Sequence, residues 1–134
     1  MSAPRAIGVD CGGTKILAGV VGRDGTVDRR HTVPTPTSSE EDLLEALEGV
    51  VETLLGEDVA AIGMGVPSQI DQRTGRAVSS VHVPLSDVDL RDRMRERFGL
   101  PVGIDNDGNA AAIAEWKLGA GRGASNVVVL TLGT

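Results

Sequence analysis

Two short stretches hold most of the side chains able to do chemistry. In Asp10-Cys-Gly-Gly-Thr-Lys15 an aspartate precedes two glycines, a hydroxyl and a lysine. Gly12 and Gly13 leave backbone N–H groups uncovered by a Cβ, so the loop can cradle an anion such as phosphate. Thr14 adds a hydroxyl donor and Lys15 balances charge, while the hard carboxylate of Asp10 suits the water shell of a magnesium ion. The same letters also suit a hairpin turn that needs glycine and nothing more. In Asp105-Asn-Asp-Gly-Asn109, carboxylates and amides lie between an apolar run and an alanine-rich one. Asp107 can act there as general base on an attacking hydroxyl, and Asn106 can hydrogen-bond hydroxyl groups. Asp and Asn also favour helix starts with no ligand present, and the residues alone leave both readings open.

Weaker candidates lie between these stretches. Gly65-Val-Pro-Ser68 closes another apolar run, where its backbone can touch a ligand or simply turn the chain. His82 sits in an irregular stretch, as a ligand contact or a plain surface histidine. Trp116, flanked by Ile113 and Leu118, is expected in the core rather than as a stacking platform. Arg91, Arg93, Arg95 and Arg97 recur every second residue among acids, which on a helix spreads them round the barrel as a solvated face.

The elements that must position these groups follow from periodicity. Residues 5–9, 15–21 and 26–35 read as three antiparallel strands, with turns at 10–14 and at Gly22-Arg-Asp-Gly25, the last strand ending at Pro34 and Pro36. Ser38 or Ser39 caps a helix whose Leu43, Leu44, Leu47, Val50, Val51, Leu54 and Leu55 fall at spacings of three and four. Residues 59–66, lacking polar alternation, suit a strand buried on both faces. Residues 70–86 read as loops around one extended piece near 77–81. A helix capped by Asp87 or Asp89 runs to Phe98 and stops at Gly99. Residues 100–104 form another buried strand, 110–118 a compact helix, 119–123 a flexible connection and 126–132 a last strand before Gly133 and Thr134. Hairpins first and strand–helix alternation afterwards predict an α/β fold: a mixed sheet with three opening antiparallel strands and flanking helices.

Composition narrows the function classes. The 134 residues, 40% hydrophobic, fit one domain. A net charge of -6 without a basic stripe argues against nucleic acid. The lone Cys11 cannot form an internal disulfide or a zinc site, which fits a reducing cytoplasm. No run approaches the roughly 18 apolar residues that span a bilayer, so no membrane partner is expected.

Taken in order, Asp10-Cys-Gly-Gly-Thr-Lys15, Gly63-Met-Gly-Val-Pro67, Asp105-Asn-Asp-Gly-Asn-Ala-Ala-Ala112 and Leu130-Thr-Leu-Gly-Thr134 resemble the landmarks of the ROK family of sugar kinases and repressors, from about Ala6 to Thr134. The resemblance implies a ribonuclease H-like (actin-like ATPase) fold, with residues 1–134 as the amino-terminal domain of a two-domain sugar kinase. It implies ATP-dependent phosphorylation of a hexose, glucose favoured, with Asp107 as catalytic base and Asn106 as sugar ligand, joined by Gly65, Ser68 and His82. Asp10, Gly12, Gly13, Thr14 and Lys15 would form the first phosphate loop, with Asp10 holding magnesium through water, and Gly133 and Thr134 would begin the second. The chain differs from many members at Ser68 and Gly108, where glycine and alanine are usual, and at His82, where asparagine is usual. The departures at Ser68 and His82 bear on sugar identity. The family's zinc-binding cysteine cluster, its Glu and His sugar ligands and its adenosine pocket are expected in a carboxyl-terminal half beyond Thr134. The full-length protein is expected to be a homo-oligomer, and this half alone is expected to be inactive. Two other readings are a sugar-responsive repressor, for which the few residues ahead of Ala6 leave no helix-turn-helix, and a truncated noncatalytic sugar-binding module.

Overall fold

The computed structural model describes residues 3–132. Three strands open the chain, β1 (Arg5–Cys11), β2 (Lys15–Val21) and β3 (Val27–Pro34), each antiparallel to the next. The turn between β2 and β3 uses Gly25 at φ 87, in the left-handed region that glycine enters without penalty. Helix α1 (Glu40–Leu54) follows, with the Ser39 hydroxyl accepting from the Asp42 N–H, and Glu40, Glu41 and Asp42 in the first turn, where the helix dipole favours acids. Strand β4 (Val59–Val66) then lies parallel to β1. A small hairpin of β5 (Gln69–Asp71) and β6 (Arg76–Ser79) comes next, then α2 (Leu90–Phe98), β7 (Val102–Asn106) parallel to β4, and α3 (Asp107–Leu118). The main sheet has the order β3-β2-β1-β4-β7, the mixed sheet expected.

Strand alternation divides this sheet into two unlike faces. Ile7, Val9 and Cys11 of β1, Ile16 and Val20 of β2, Ile62, Met64 and Val66 of β4, and Val102 and Ile104 of β7 point one way. They pack against the buried stripe of α1 and against Leu90 and Met94 of α2. Burying one such side chain contributes about 1.5–3 kcal/mol, so this face is the core. The other face is nearly bare. Pairing Gly19 with Gly8, Gly8 with Gly63 and Gly63 with Gly103 sets four glycines in a row across β2, β1, β4 and β7. An apolar cavity of about 630 Å³ opens over this row, with Ala110 and Ile113 of α3 on its far side.

Several expectations need correction. Strand β4 is not buried on both faces along its length: on the second face Ala61 is half-buried and Gly63 exposed, and only Gly65 is covered, by the first turn of α3. The stretch 70–86 holds a two-stranded hairpin whose turn is closed by the Asp71 carbonyl accepting from Thr74 and Gly75. Strand β7 runs two residues later than 100–104, and α3 starts at Asp107, because the Asn106 side chain caps it. Residues 126–132 form no strand: they find no partner edge, and Val128 and Leu130 are 88% and 80% exposed. Trp116 is 44% exposed rather than in the core, its indole N–H donating to the Ala124 carbonyl, and α3 buries no residue fully. The arginines of α2 are not a plain solvated face. Arg93 and Arg97 grip the buried carboxylate of Glu48 on α1, and Arg91 donates to the Gln72 and Arg73 carbonyls.

Candidate active site

The parallel strands β1, β4 and β7 all end at one edge of the sheet, and register brings their last residues together. Asp10 pairs with Gly65 and Gly65 with Asp105, so two carboxylates flank a glycine in one row. One step further, Val66 pairs with Asn106, and the chain turns into α3 at Asp107. This is the carboxyl edge of the parallel strands, where open α/β sheets place their ligands.

Gly65 explains why the helix start sits so close. A Cβ there would lie 3.2 Å from Ala110 Cβ and 3.3 Å from Asp107 Cα. The absence of a side chain lets the first turn of α3 rest on β4 and hold Asp107 over the strand ends; a Cβ would push it off by a few tenths of an ångström. The Asn106 Oδ1 atom accepts from the N–H groups of Gly108 (3.0 Å) and Asn109 (3.4 Å), and its Nδ2 donates to the Ser68 carbonyl at 3.2 Å. One Asn106 N–H therefore stays free to donate elsewhere. Asp107 Oδ1 accepts from the Gly108 N–H at 2.9 Å, which leaves its other oxygen available.

The loop between β1 and β2 lies at the same edge. Gly12 donates its N–H to the Lys15 carbonyl at 3.0 Å, and a Cβ on Gly12 would come within 3.1 Å of that oxygen. Thr35, just past β3, holds the loop from behind: its hydroxyl donates to the Gly12 carbonyl at 2.8 Å and its N–H to the Thr14 carbonyl at 2.9 Å. Among the described residues the N–H groups of Gly13 and Thr14 have no partner, and a Cβ on Gly13 would meet nothing within 4 Å. Two free donors over open space can receive an anion. Lys15 is exposed beside them.

Electrostatics ties the two halves of the edge. Desolvation, with the Asp107 charge added, raises the Asp10 pKa above its ordinary value. Burial pushes the neighbouring Cys11 thiol up to about 12, helped by the charges of Asp10 and Asp107. Among the described residues no ion pair neutralises Asp10 or Asp107, and no three His, Cys, Asp or Glu side chains gather closely enough to hold a metal ion by themselves.

The structure brings Asp10, Gly12, Gly13, Thr14, Lys15, Gly65, Asn106 and Asp107 to one edge. It treats the rest differently. Ser68 is 2% exposed, and its hydroxyl is spent on the carbonyls of Ser79 (2.8 Å) and Leu85 (3.1 Å), so its side chain binds the fold rather than facing a ligand. His82 is exposed in the 80–84 loop, which Ser80 ties to the Pro67 carbonyl. Gly133 and Thr134 lie outside the described residues. Sequence reasoning missed Thr35, whose tether to Gly12 spans 23 residues and leaves no local pattern, and Gln72 and Asn109, which reach Asp105.

Comparison with known proteins gives the arrangement a context. The sequence matches the ROK family over residues 6–134. A glucokinase of Streptomyces coelicolor is 40% identical over 129 residues, 96% of this chain and 40% of its own length. A glucokinase of Thermotoga maritima is 37% identical over 133 residues, 97% of this chain and 42% of its own length. Among solved structures, a ROK family glucokinase from Streptomyces griseus in complex with glucose and AMPPNP superposes with a TM-score of 0.83 and 38% identity, over 89% of this chain and 38% of that one. The chain thus spans about two fifths of the length of the curated relatives it matches. Its mixed sheet and flanking helices are those of the ribonuclease H-like, actin-like ATPase fold of these kinases.

Proposed function

The chain belongs to the ROK family, and from that premise we propose that the full-length protein moves the γ-phosphoryl group of ATP to a hexose hydroxyl, glucose being the favoured acceptor. Residues 1–134 would supply the amino-terminal domain of two. The observation that carries this reading is the shared strand edge, where Asp10 pairs with Gly65 and Gly65 carries Asp107 directly over it.

In the proposed reaction the sugar hydroxyl lies against the free oxygen of Asp107. As its oxygen bonds to the γ-phosphorus, its proton passes to Asp107, and the bond from that phosphorus to the leaving ADP oxygen breaks. The remaining Asn106 N–H donates to a sugar oxygen, and the α3 cap fixes its direction. The Gly13 and Thr14 N–H groups receive phosphate oxygens, with Lys15 close by. Such fixed donors stabilise charge without reorganising during the reaction. Two uncompensated carboxylates with hard oxygen donors suit magnesium, which Asp10 would hold through water. When bound, that ion neutralises charge on the phosphates. The zinc cluster of the family belongs to the proposed second domain.

Asp107→Asn tests the assignment in the full-length protein. It should lower kcat by at least about two orders of magnitude while sugar affinity stays within about threefold. Near-normal turnover would remove Asp107 from the mechanism. Residues 1–134 alone should give no sugar phosphate, because positioning and charge stabilisation need both sides of the cleft.

A further inference from the structure

Gln72, in the turn between β5 and β6, has a part in the site that no family landmark predicts. The backbone of this turn is locked. The Asp71 carbonyl accepts from Gly75 at 2.7 Å, the Asp71 carboxylate accepts from the Arg73 N–H at 2.9 Å, and the Arg91 guanidinium reaches the carbonyls of Gln72 (3.4 Å) and Arg73 (3.1 Å). The Arg91 N–H also donates to the Gly75 carbonyl at 3.3 Å. Gly75, at φ 73, must be glycine here, because a Cβ would collide with the Arg91 side chain. The turn is thus seated on α2, and what it projects is held from a fixed base.

It projects the Gln72 side chain onto the end of β7. Gln72 Nε2 donates to Asp105 Oδ1 at 3.0 Å and to the Ile104 carbonyl at 3.3 Å; both partners only accept, so the amide nitrogen must face them. Asp105 Oδ1 also accepts from the Asn106 N–H at 2.7 Å and from Asn109 Nδ2 at 3.2 Å. One carboxylate oxygen therefore gathers the last peptide of β7, the first turn of α3 and the β5–β6 turn. Asn106 and Asp107 are the two residues that follow it.

We propose that Gln72 is a positioning residue for the Asn106–Asp107 pair: through Asp105 it braces the β7–α3 junction against the turn that Arg91 seats on α2. The proposal rests on the kinase reading for its consequence in catalysis, but the brace itself is a property of this chain. Gln72 is exposed, so its substitution leaves the core untouched. Removing a brace that holds a catalytic group to within a fraction of an ångström costs rate before it costs fold.

The experiment uses the full-length protein with Gln72→Ala, Asp105→Ala, the double variant, and Ser79→Ala as a control that breaks a bond to Gln69 inside the hairpin without touching β7. Gln72→Ala should lower kcat about three- to tenfold with KM for ATP unchanged, and the double variant should lose little more than Asp105→Ala alone. Hydrogen exchange over peptides covering residues 104–110 should quicken about fivefold in Gln72→Ala and not in Ser79→Ala, with peptides of α1 unaffected. Unchanged exchange over 104–110 overturns the brace whatever the activity, and additive kinetic losses overturn its route through Asp105. If the unaltered protein phosphorylates no sugar, the kinase reading fails, and the exchange result still decides the brace.

Discussion

Gly65→Ala is the sharpest test of how the site is built. The added methyl would stand 3.2 Å from Ala110 Cβ, 3.3 Å from Asp107 Cα and 3.8 Å from Asp107 Cβ. Carbon atoms rest comfortably at about 3.5–4.0 Å, so relief needs a movement of a few tenths of an ångström. Neither near neighbour can swing aside, since Ala110 has no rotamer and Asp107 Cα is backbone. The first turn of α3 must therefore lift from β4 as a body, carrying Asp107 with it. Overpacking of this kind costs about 1–3 kcal/mol, read as a fall in melting temperature of roughly 4–11 °C for a domain of this size. A one-ångström misplacement of a catalytic group costs about a hundredfold in rate, so a few tenths of that should cost about four- to tenfold in kcat. The assay is steady-state kinetics on the full-length protein, sugar and ATP varied separately, beside thermal melts. Gly63→Ala serves as the comparison, because a Cβ there meets nothing within 4 Å. A Gly65→Ala protein that melts like the parent and turns over within a factor of two would refute the seating of α3 on β4.

Three further outcomes follow from charge and burial. Asp10 has a raised pKa, so above the ordinary 3.8 its charge weighs on the folded state; Asp10→Asn should raise the melting temperature at pH 7 while abolishing activity, and a lower melting temperature would contradict the desolvation. Cys11 is fully buried with its thiol pushed from 9.0 to about 12; it should resist iodoacetamide at pH 8 in the native protein and react at once in urea, and its contribution to stability should fall as pH rises from about 9 towards 12, because the unfolded chain loses that proton first. Glu48 is 5% exposed, with Arg93 Nε at 2.6 Å and an Arg97 nitrogen at 3.2 Å, but both arginines are partly exposed and keep Glu41 and Glu52; Glu48→Ala should cost about 1–2 kcal/mol in urea unfolding, and a loss under about 0.5 kcal/mol would mean that the pair behaves as a surface one.

The parts of this molecule that are legible in sequence are those set by near neighbours. The leucine stripe of α1 and its Ser39 cap lie within a few turns of each other, and periodicity alone places them. The β1–β2 turn is equally local. The β5–β6 hairpin is not, because Arg91 on α2 seats its turn from 18 or 19 residues away. Residues 126–132 carry a strand's composition, but a strand needs an edge to pair with, and composition does not say whether one is at hand. The candidate site divides in the same way. The motifs of Asp10 and Asp107 are visible, yet their proximity depends on β1 and β7 both flanking β4, which no spacing along the chain reveals.

The row of glycines across β2, β1, β4 and β7 also has a mechanical meaning. Cross-strand side-chain pairs stiffen a sheet, each contributing about 0.2–1 kcal/mol, and along this line one face has none. The opposite face at the same level is held by the interlocked Ile7, Val9, Val20, Ile62 and Met64. A sheet so built would resist being pulled apart yet curl more readily along this line, as a crease beneath the cavity. On β1 the crease at Gly8 lies two residues from Asp10, and on β4 the crease at Gly63 lies two residues from Gly65. Bending along it would tilt the whole carboxyl edge as one plate, so that Asp10, Gly65 and Asp105 change their angle to the rest of the domain without changing their distances from each other.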